Sequence, residues 1–185
     1  MFKILLKACS YAPEQSLWLR QTLASRKKAF RPTTKVRRGH EFDTSKLLAF
    51  LRVELGESAI PSKDEDIQVQ QFAWGQSNPT FRVMWGDDKE KTLVVRKQPP
   101  GKLLKGAHDV VREYTAMTNL RNTAVPVPTT RALCEDESII GTKFFVYDYV
   151  PGRFFQDFYL SDVKDVGQRQ AIYKRLVLKY ANVSY

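Results

Sequence analysis

Between Leu93 and Asn119 the sequence commits the chain to one arrangement of strand and helix. The apolar, largely β-branched run Leu93, Val94, Val95 delivers two cations, Arg96 and Lys97; Pro99-Pro100-Gly101 then turns the chain, and an amphipathic helix is predicted to follow. Leu103, Ala107, Val110, Tyr114 and Met117 recur at spacings of four and three, one apolar helical face, and Glu113 lies within about 60° of that stripe at 100° per residue. Helix and strand should pack on one another, so Glu113 can point at the end of the strand. From these residues alone an ordinary solvated ion pair at element ends is a sufficient reading.

The flanking pattern adds strands. Asp43 or Thr44 can cap a helix whose Leu47, Leu48, Phe50, Leu51 and Leu55 face inward and which Gly56 ends. Strands are predicted at about Ile67 to Trp74 and Thr80 to Trp85, joined by the turn Gly75-Gln76-Ser77-Asn78-Pro79, with Gly86-Asp87-Asp88 leading into Thr92 to Lys97. Beyond the central helix, Thr129 to Cys134 and Lys143 to Val150 read as strands around an acidic turn, Glu135-Asp136-Glu137, and Gln168 to Tyr180 reads as a helix. The expected class is α+β: a five-stranded antiparallel sheet with one packed helix, plus flanking helices.

Charge divides the chain. Of 30 Lys and Arg against 20 Asp and Glu, residues 1–39 hold ten basic residues and a single acid, Glu14, so residues 40–185 are close to neutral. The N-terminal segment is rich in Arg, Lys, Ser and Thr, which is the composition of a mitochondrial transit peptide; a disordered basic tail or a nucleic-acid arm are the alternatives. No nucleic-acid partner is expected for the body, and no stretch approaches the roughly 18 apolar residues of a membrane span. Cys9 and Cys134 give neither a disulfide framework nor metal spacing. His40 and His108 have no carboxylate cluster beside them, so a zinc site or a histidine-assisted nucleophile has little to build on.

Five segments in order carry a resemblance: Gly75-Gln76-Ser77-Asn78-Pro79-Thr80-Phe81; Val94-Val95-Arg96-Lys97-Gln98-Pro99-Pro100-Gly101; Ala107-His108-Asp109 with Arg112-Glu113-Tyr114; Val125-Pro126-Val127-Pro128; and Tyr147-Asp148-Tyr149-Val150-Pro151-Gly152-Arg153. From about Phe42 to Tyr173 the chain resembles the aminoglycoside-phosphotransferase-like, protein-kinase-like domain that occurs with acyl-CoA dehydrogenases, in its N-terminal lobe only. The resemblance implies three parts: the basic segment 1–39, a kinase-like small lobe over 40–153, and a hinge-following loop with the start of a large-lobe helix over 154–185.

It also implies ATP as the ligand. The Gly75 to Thr80 turn would lie over the phosphates, Gly75 allowing close backbone approach and Ser77, Asn78 and backbone N–H groups donating; taken alone it is a hairpin turn. Arg96 falls where the family places its phosphate-contacting strand cation, usually lysine in the wider superfamily, and Glu113 would orient it. Because strand side chains alternate, only one of Arg96 and Lys97 can reach the phosphates; Arg96 is favoured, Lys97 the alternative. Backbone groups of Asp148, Tyr149 and Val150 would hydrogen-bond adenine at the hinge, whose side chains carry little of that recognition.

Phosphoryl transfer needs in addition a carboxylate for the attacking hydroxyl and ligands for Mg²⁺. In the family these come from the large lobe, in a His-Gly-Asp…Asn loop and a later Asp motif, and neither occurs in this sequence, so no catalytic residue and no metal ligand is assigned. The resemblance implies a nucleotide-binding lobe of a small-molecule phosphotransferase, a hydroxyacyl-CoA being one acceptor, that does not transfer phosphate alone; Mg²⁺ belongs to its full-length relatives. The alternative is a non-catalytic module that pairs with an acyl-CoA dehydrogenase or a separate lobe, through the aromatics Phe154, Phe155, Phe158 and Tyr159.

Overall fold

The computed structural model describes residues 33–181 apart from 62, 64–65, 74–76, 87–90, 102–103, 105–106, 153–154 and 156. It divides into two units, one comprising residues 32–119 and 128–149, the other including 120–127 and 150–181.

The first unit is built on a six-stranded antiparallel sheet in the order β1-β2-β3-β4-β6-β5. Its strands are β1 (Thr33–Thr34), β2 (Gln68–Phe72), β3 (Thr80–Trp85), β4 (Lys91–Lys97), β5 (Thr130–Cys134) and β6 (Phe144–Asp148). Five are those the alternation predicts. The sixth, β1, lies inside the segment assigned from its charge to targeting or disorder, so the folded unit begins before residue 40. Thr33 and Thr34 pair with Phe72 and Gln71, and Arg37 Nη2 donates to the carbonyls of Phe72 and Ala73 at 3.3 and 2.6 Å.

One sheet face is apolar. Phe81, Val83 and Trp85 of β3, Leu93 and Val95 of β4, Ala132 and Cys134 of β5, and Phe144 and Val146 of β6 pack against α1 (Thr44–Leu55). Leu47, Leu48 and Leu51 of α1 are wholly buried. Asp43 is the N-cap, accepting from Ser45 and Lys46 N–H at 3.0 and 3.2 Å, and Gly56 ends the helix at φ 92°, a conformation that a β-carbon would strain. A short helix, α3 (Glu137–Ile140), stands where an acidic turn was predicted, because Asp136 caps Ser138 N–H and Gly141 supplies the left-handed end.

The opposite face carries α2 (Val110–Leu120). This helix starts later than the apolar stripe from Leu103 implies: Leu103 lies outside the described residues and Ala107 sits in a turn. His108, at φ 58°, breaks the helical path, and Asp109 then caps Val111 and Arg112 N–H at 3.0 and 3.1 Å. Tyr114 meets Phe145 edge-on at 6.0 Å, and Thr118 and Thr130 hydroxyls lie 3.0 Å apart, fixing the helix to β6 and β5.

In the second unit the helix predicted over Gln168–Tyr180 runs as α4 (Val166–Ala181). Asp165 caps it through Gln168 N–H at 2.6 Å, and Leu160 and Val163 are buried.

Candidate functional site

Alternation along β4 separates the two cations at its C-terminal end, Arg96 and Lys97. Arg96 shares a face with Thr92 and Val94, on the side of α2; Lys97 follows Leu93 and Val95 into the α1 core. Arg96 meets Glu113 with a fork: Nε donates to Oε2, and Nη2 donates to Oε1 at 3.0 Å. The third Arg96 contact runs to β3, Nη1 donating to Thr80 Oγ1 at 3.3 Å. Register explains it, since Thr80 is the cross-strand partner of Arg96.

Glu113 is shared. Its Oε1 also accepts from Asn78 Nδ2 at 2.9 Å, and the Thr80 hydroxyl donates to Asn78 O at 3.0 Å. The residues before β3 are thereby tied to strand and helix at one point. Asn78 is 1% exposed, and its Oδ1, turned away from the carboxylate, has no hydrogen-bond partner among the described residues.

Of the five guanidinium N–H groups, three are taken by Glu113 and Thr80, and two have no partner among the described residues. Side-chain exposures of 28% and 27% leave Arg96 and Glu113 reachable from solvent. Burial works against the Arg96 charge, but the hydrogen bond to Glu113 and its charge outweigh it and raise the guanidinium pKa above its ordinary value. The result is a fixed cation with an open donor edge, a donor set that fits an anion.

Lys97, the alternative phosphate ligand, is 5% exposed. Its Nζ donates to Ile140 O at 2.9 Å and lies 5.4 Å from the centre of the Phe42 ring, and burial lowers its pKa. It sits on the face opposite Arg96 and has no path to the same ligand.

The other residues assigned from sequence divide as follows. Gly75 lies outside the described residues; Ser77 is exposed at the end of the turn. Asp148 N–H donates to Thr129 O at 2.9 Å, and its carboxylate accepts from Arg131 Nε and Nη2 at 2.7 and 2.8 Å, so its own donor is engaged. The Tyr149 ring lies beneath the Arg82 guanidinium, 4.6 Å from centroid to Cζ. Val150 begins the second unit. The turn motif alone does not link Thr80 to Arg96; the parity of β3 opposite β4 is the signal that does, because the two are cross-strand partners on one face.

Among the described residues no group of three or more His, Cys, Asp or Glu side chains could hold a metal ion. No helix among them is long and apolar enough to cross a membrane.

A twisted antiparallel sheet with a strand cation braced by a helix carboxylate defines a kinase-like small lobe. The chain belongs to the phosphotransferase enzyme family, whose model matches residues 68–182. It is 34% identical to a solved chain from Ralstonia eutropha assigned to the aminoglycoside phosphotransferases, with a TM-score of 0.57 over 77% of this chain and 38% of that one. Among curated proteins it is 45% identical over 107 residues to mouse acyl-CoA dehydrogenase family member 10, covering 58% of this chain and 10% of that protein. To rat acyl-CoA dehydrogenase family member 11 it is 39% identical over 151 residues, 80% of this chain and 18% of that protein. The chain thus spans less than a fifth of the length of these curated relatives.

Proposed function

We propose that the sheet unit is a nucleotide-binding lobe that takes the phosphates of ATP on Arg96. The observation that carries this reading is the Arg96–Glu113 fork, braced by Asn78 and Thr80 and open at two N–H groups. Arg96 pairs with Phe145 across β4 and β6, and Tyr149 lies four residues further along, ~13 Å at 3.3 Å per residue. That length is comparable with the distance from base to outer phosphates in an extended nucleoside triphosphate. The Asp148 donor is engaged by Thr129.

Phosphoryl transfer to a hydroxyl acceptor, the reaction of the family, requires a carboxylate to orient that hydroxyl, and Mg²⁺ would supply charge neutralisation on the phosphates. The donor set around Arg96 does not fit a cation: the Glu113 oxygens are bound by Arg96 and Asn78, leaving the Asn78 carbonyl oxygen as a lone candidate. The 185-residue polypeptide is therefore proposed to bind nucleotide without turning it over.

Calorimetric titration with ATP and with inorganic triphosphate tests the reading. Arg96→Gln should lower both affinities at least tenfold, and Lys97→Met should change neither by more than about twofold. Equal affinity for wild type and Arg96→Gln would refute the site, and Mg²⁺-dependent ATP hydrolysis or transfer by purified chain would refute the inactivity.

A second reading rests on the exposed Phe158, Tyr159, Val177 and Leu178 of the second unit and on the dehydrogenase names of the relatives. It makes the chain a module that contacts an acyl-CoA dehydrogenase. Loss of dehydrogenase co-purification on changing Phe158 and Tyr159 to Ser would support it. A mitochondrial address for residues before Thr33 is proposed on composition, and imaging of a fusion carrying residues 1–32 tests it.

A further inference from the structure

Past β1 the chain leaves the sheet edge as a short strap, turned by a hydrogen bond from His40 N–H to Arg37 O at 2.9 Å with Gly39 at φ 82°. Gln71 of β2 holds this strap. Its side chain is 2% exposed and shares a sheet face with its cross-strand partner Phe81, on the side of the α1 core. An unbonded amide there would be costly. Its Oε1 accepts from Arg37 N–H at 2.9 Å, which leaves Nε2 to donate to His40 Nδ1 at 2.7 Å.

With its backbone fixed by Gln71, Arg37 reaches the end of β2. Its Nη2 donates to the carbonyl of Phe72, the last residue of the strand, and to that of Ala73, the first residue of the connection to β3, at 3.3 and 2.6 Å. The other end of that connection is tied separately. Asn78 Nδ2 donates to Glu113 Oε1 at 2.9 Å, and Lys97 N–H donates to Pro79 O at 3.0 Å. An arginine that only satisfied edge carbonyls could make the Phe72 contact equally well. What distinguishes Arg37 is the segment it grips, because the connection that starts at Ala73 leads to Asn78 and so into the Arg96–Glu113 network.

We propose that Arg37 is a positioning residue of the nucleotide site: it fixes the entry of the β2–β3 connection, as Asn78 fixes its exit, and phosphate affinity depends on both. The inference rests on the nucleotide-binding reading above and goes beyond it. Residues 33–39, assigned from charge to a targeting or disordered segment, become part of what holds the ligand. A connection fixed at both ends has less freedom to lose when phosphate arrives, and the saving appears as affinity. Arg37 acts through the connection and not on the base, so its loss should weaken ATP and inorganic triphosphate by the same factor.

Full-length chain is titrated calorimetrically with ATP and with inorganic triphosphate, for wild type, Arg37→Met, Gln71→Met and Leu48→Ala, with a urea midpoint measured on each. Arg37→Met removes the donors and keeps an apolar stem; Gln71→Met keeps the buried volume and frees the strap. Each should lower both affinities at least about threefold. Leu48→Ala empties part of the α1 core and should lower the urea midpoint further while leaving both affinities within about twofold of wild type. A lowered midpoint with unchanged triphosphate affinity in Arg37→Met would make the contact merely structural and overturn the proposal. An equal loss of affinity in Leu48→Ala would also overturn it, because affinity would then follow overall stability. If Arg37→Met does not fold, Gln71→Met decides on the same terms. Failure of wild type to bind either ligand overturns the nucleotide reading itself, and the proposal with it.

Discussion

Glu113→Gln keeps the shape of the side chain and removes its charge and one acceptor. Three N–H donors converge on the Glu113 carboxylate, two from Arg96 and one from Asn78. A glutamine placed with its oxygen at the Oε1 position still accepts from Arg96 Nη2 and Asn78, but its NH₂ then faces Arg96 Nε–H, donor against donor. The flipped amide is worse, because it opposes two donors. The better orientation therefore loses one charge-assisted bond and the Coulombic attraction of the pair. Hydrogen bonds to charged groups contribute about 1.5–3 kcal/mol when buried; with over a quarter of each side chain open to solvent, screening reduces this to about 1–2 kcal/mol. In a chain of 185 residues that is a fall in Tm of about 2–8 °C. Urea unfolding of wild type, Glu113→Gln, Arg96→Met and the double variant gives the coupling directly. A coupling below about 0.3 kcal/mol would place the pair among ordinary surface ion pairs and refute the argument that it is a braced site.

Three further outcomes follow from the same geometry. Lys97→Met removes a lysine whose pKa burial holds below its ordinary value of 10.5; stability of the wild type rises relative to the variant as pH climbs from the lowered pKa to 10.5, and urea midpoints at neutral and alkaline pH should show that slope in wild type alone. Asn78→Ala deletes the bond to Glu113 together with a buried acceptor that has no donor among the described residues, so stability should change by less than about 1 kcal/mol while triphosphate affinity falls, the two read by urea unfolding and calorimetry. Arg37→Ala should cost about 1–2 kcal/mol by freeing the Phe72 and Ala73 carbonyls, and a chain beginning at Gly39 should lose at least as much in the same assay, whereas one beginning at Thr33 should not.

Much of the fold is legible where local signals agree. Helix α1 begins and ends where Asp43, the leucine spacing and Gly56 place it, and β3 has the predicted bounds, because capping, periodicity and turn chemistry all select the same residues. The start of α2 is misread because Leu103 and Ala107 extend an apolar period that the backbone abandons at His108. Strand β1 is invisible in composition, being two threonines in a basic stretch that acquire meaning only from Gln71 and Phe72 beside them. The site shows the same division. Periodicity aims Glu113 at the strand, and strand parity separates Arg96 from Lys97. The link from Asn78 to Glu113, and from Thr80 to Arg96, depends on tertiary register that no local pattern carries.

The two faces of the sheet divide the labour, and this determines what site variants can report. The apolar face holds α1 through wholly buried Leu47, Leu48 and Leu51, and loss of one such side chain, as in Leu48→Ala, costs about 2–5 kcal/mol. The polar face is held by Tyr114 on Phe145, the Thr118–Thr130 contact and the Arg96–Glu113–Asn78–Thr80 network, with less apolar area in play. Since single bonds there contribute about 1 kcal/mol each, changes at Asn78 or Thr80 leave the α1 core intact. What they disturb is the aim of Arg96, and orientation is where a preorganised site gains its affinity. Variants on the polar face should therefore move ligand affinity more than stability, and variants on the apolar face should do the reverse.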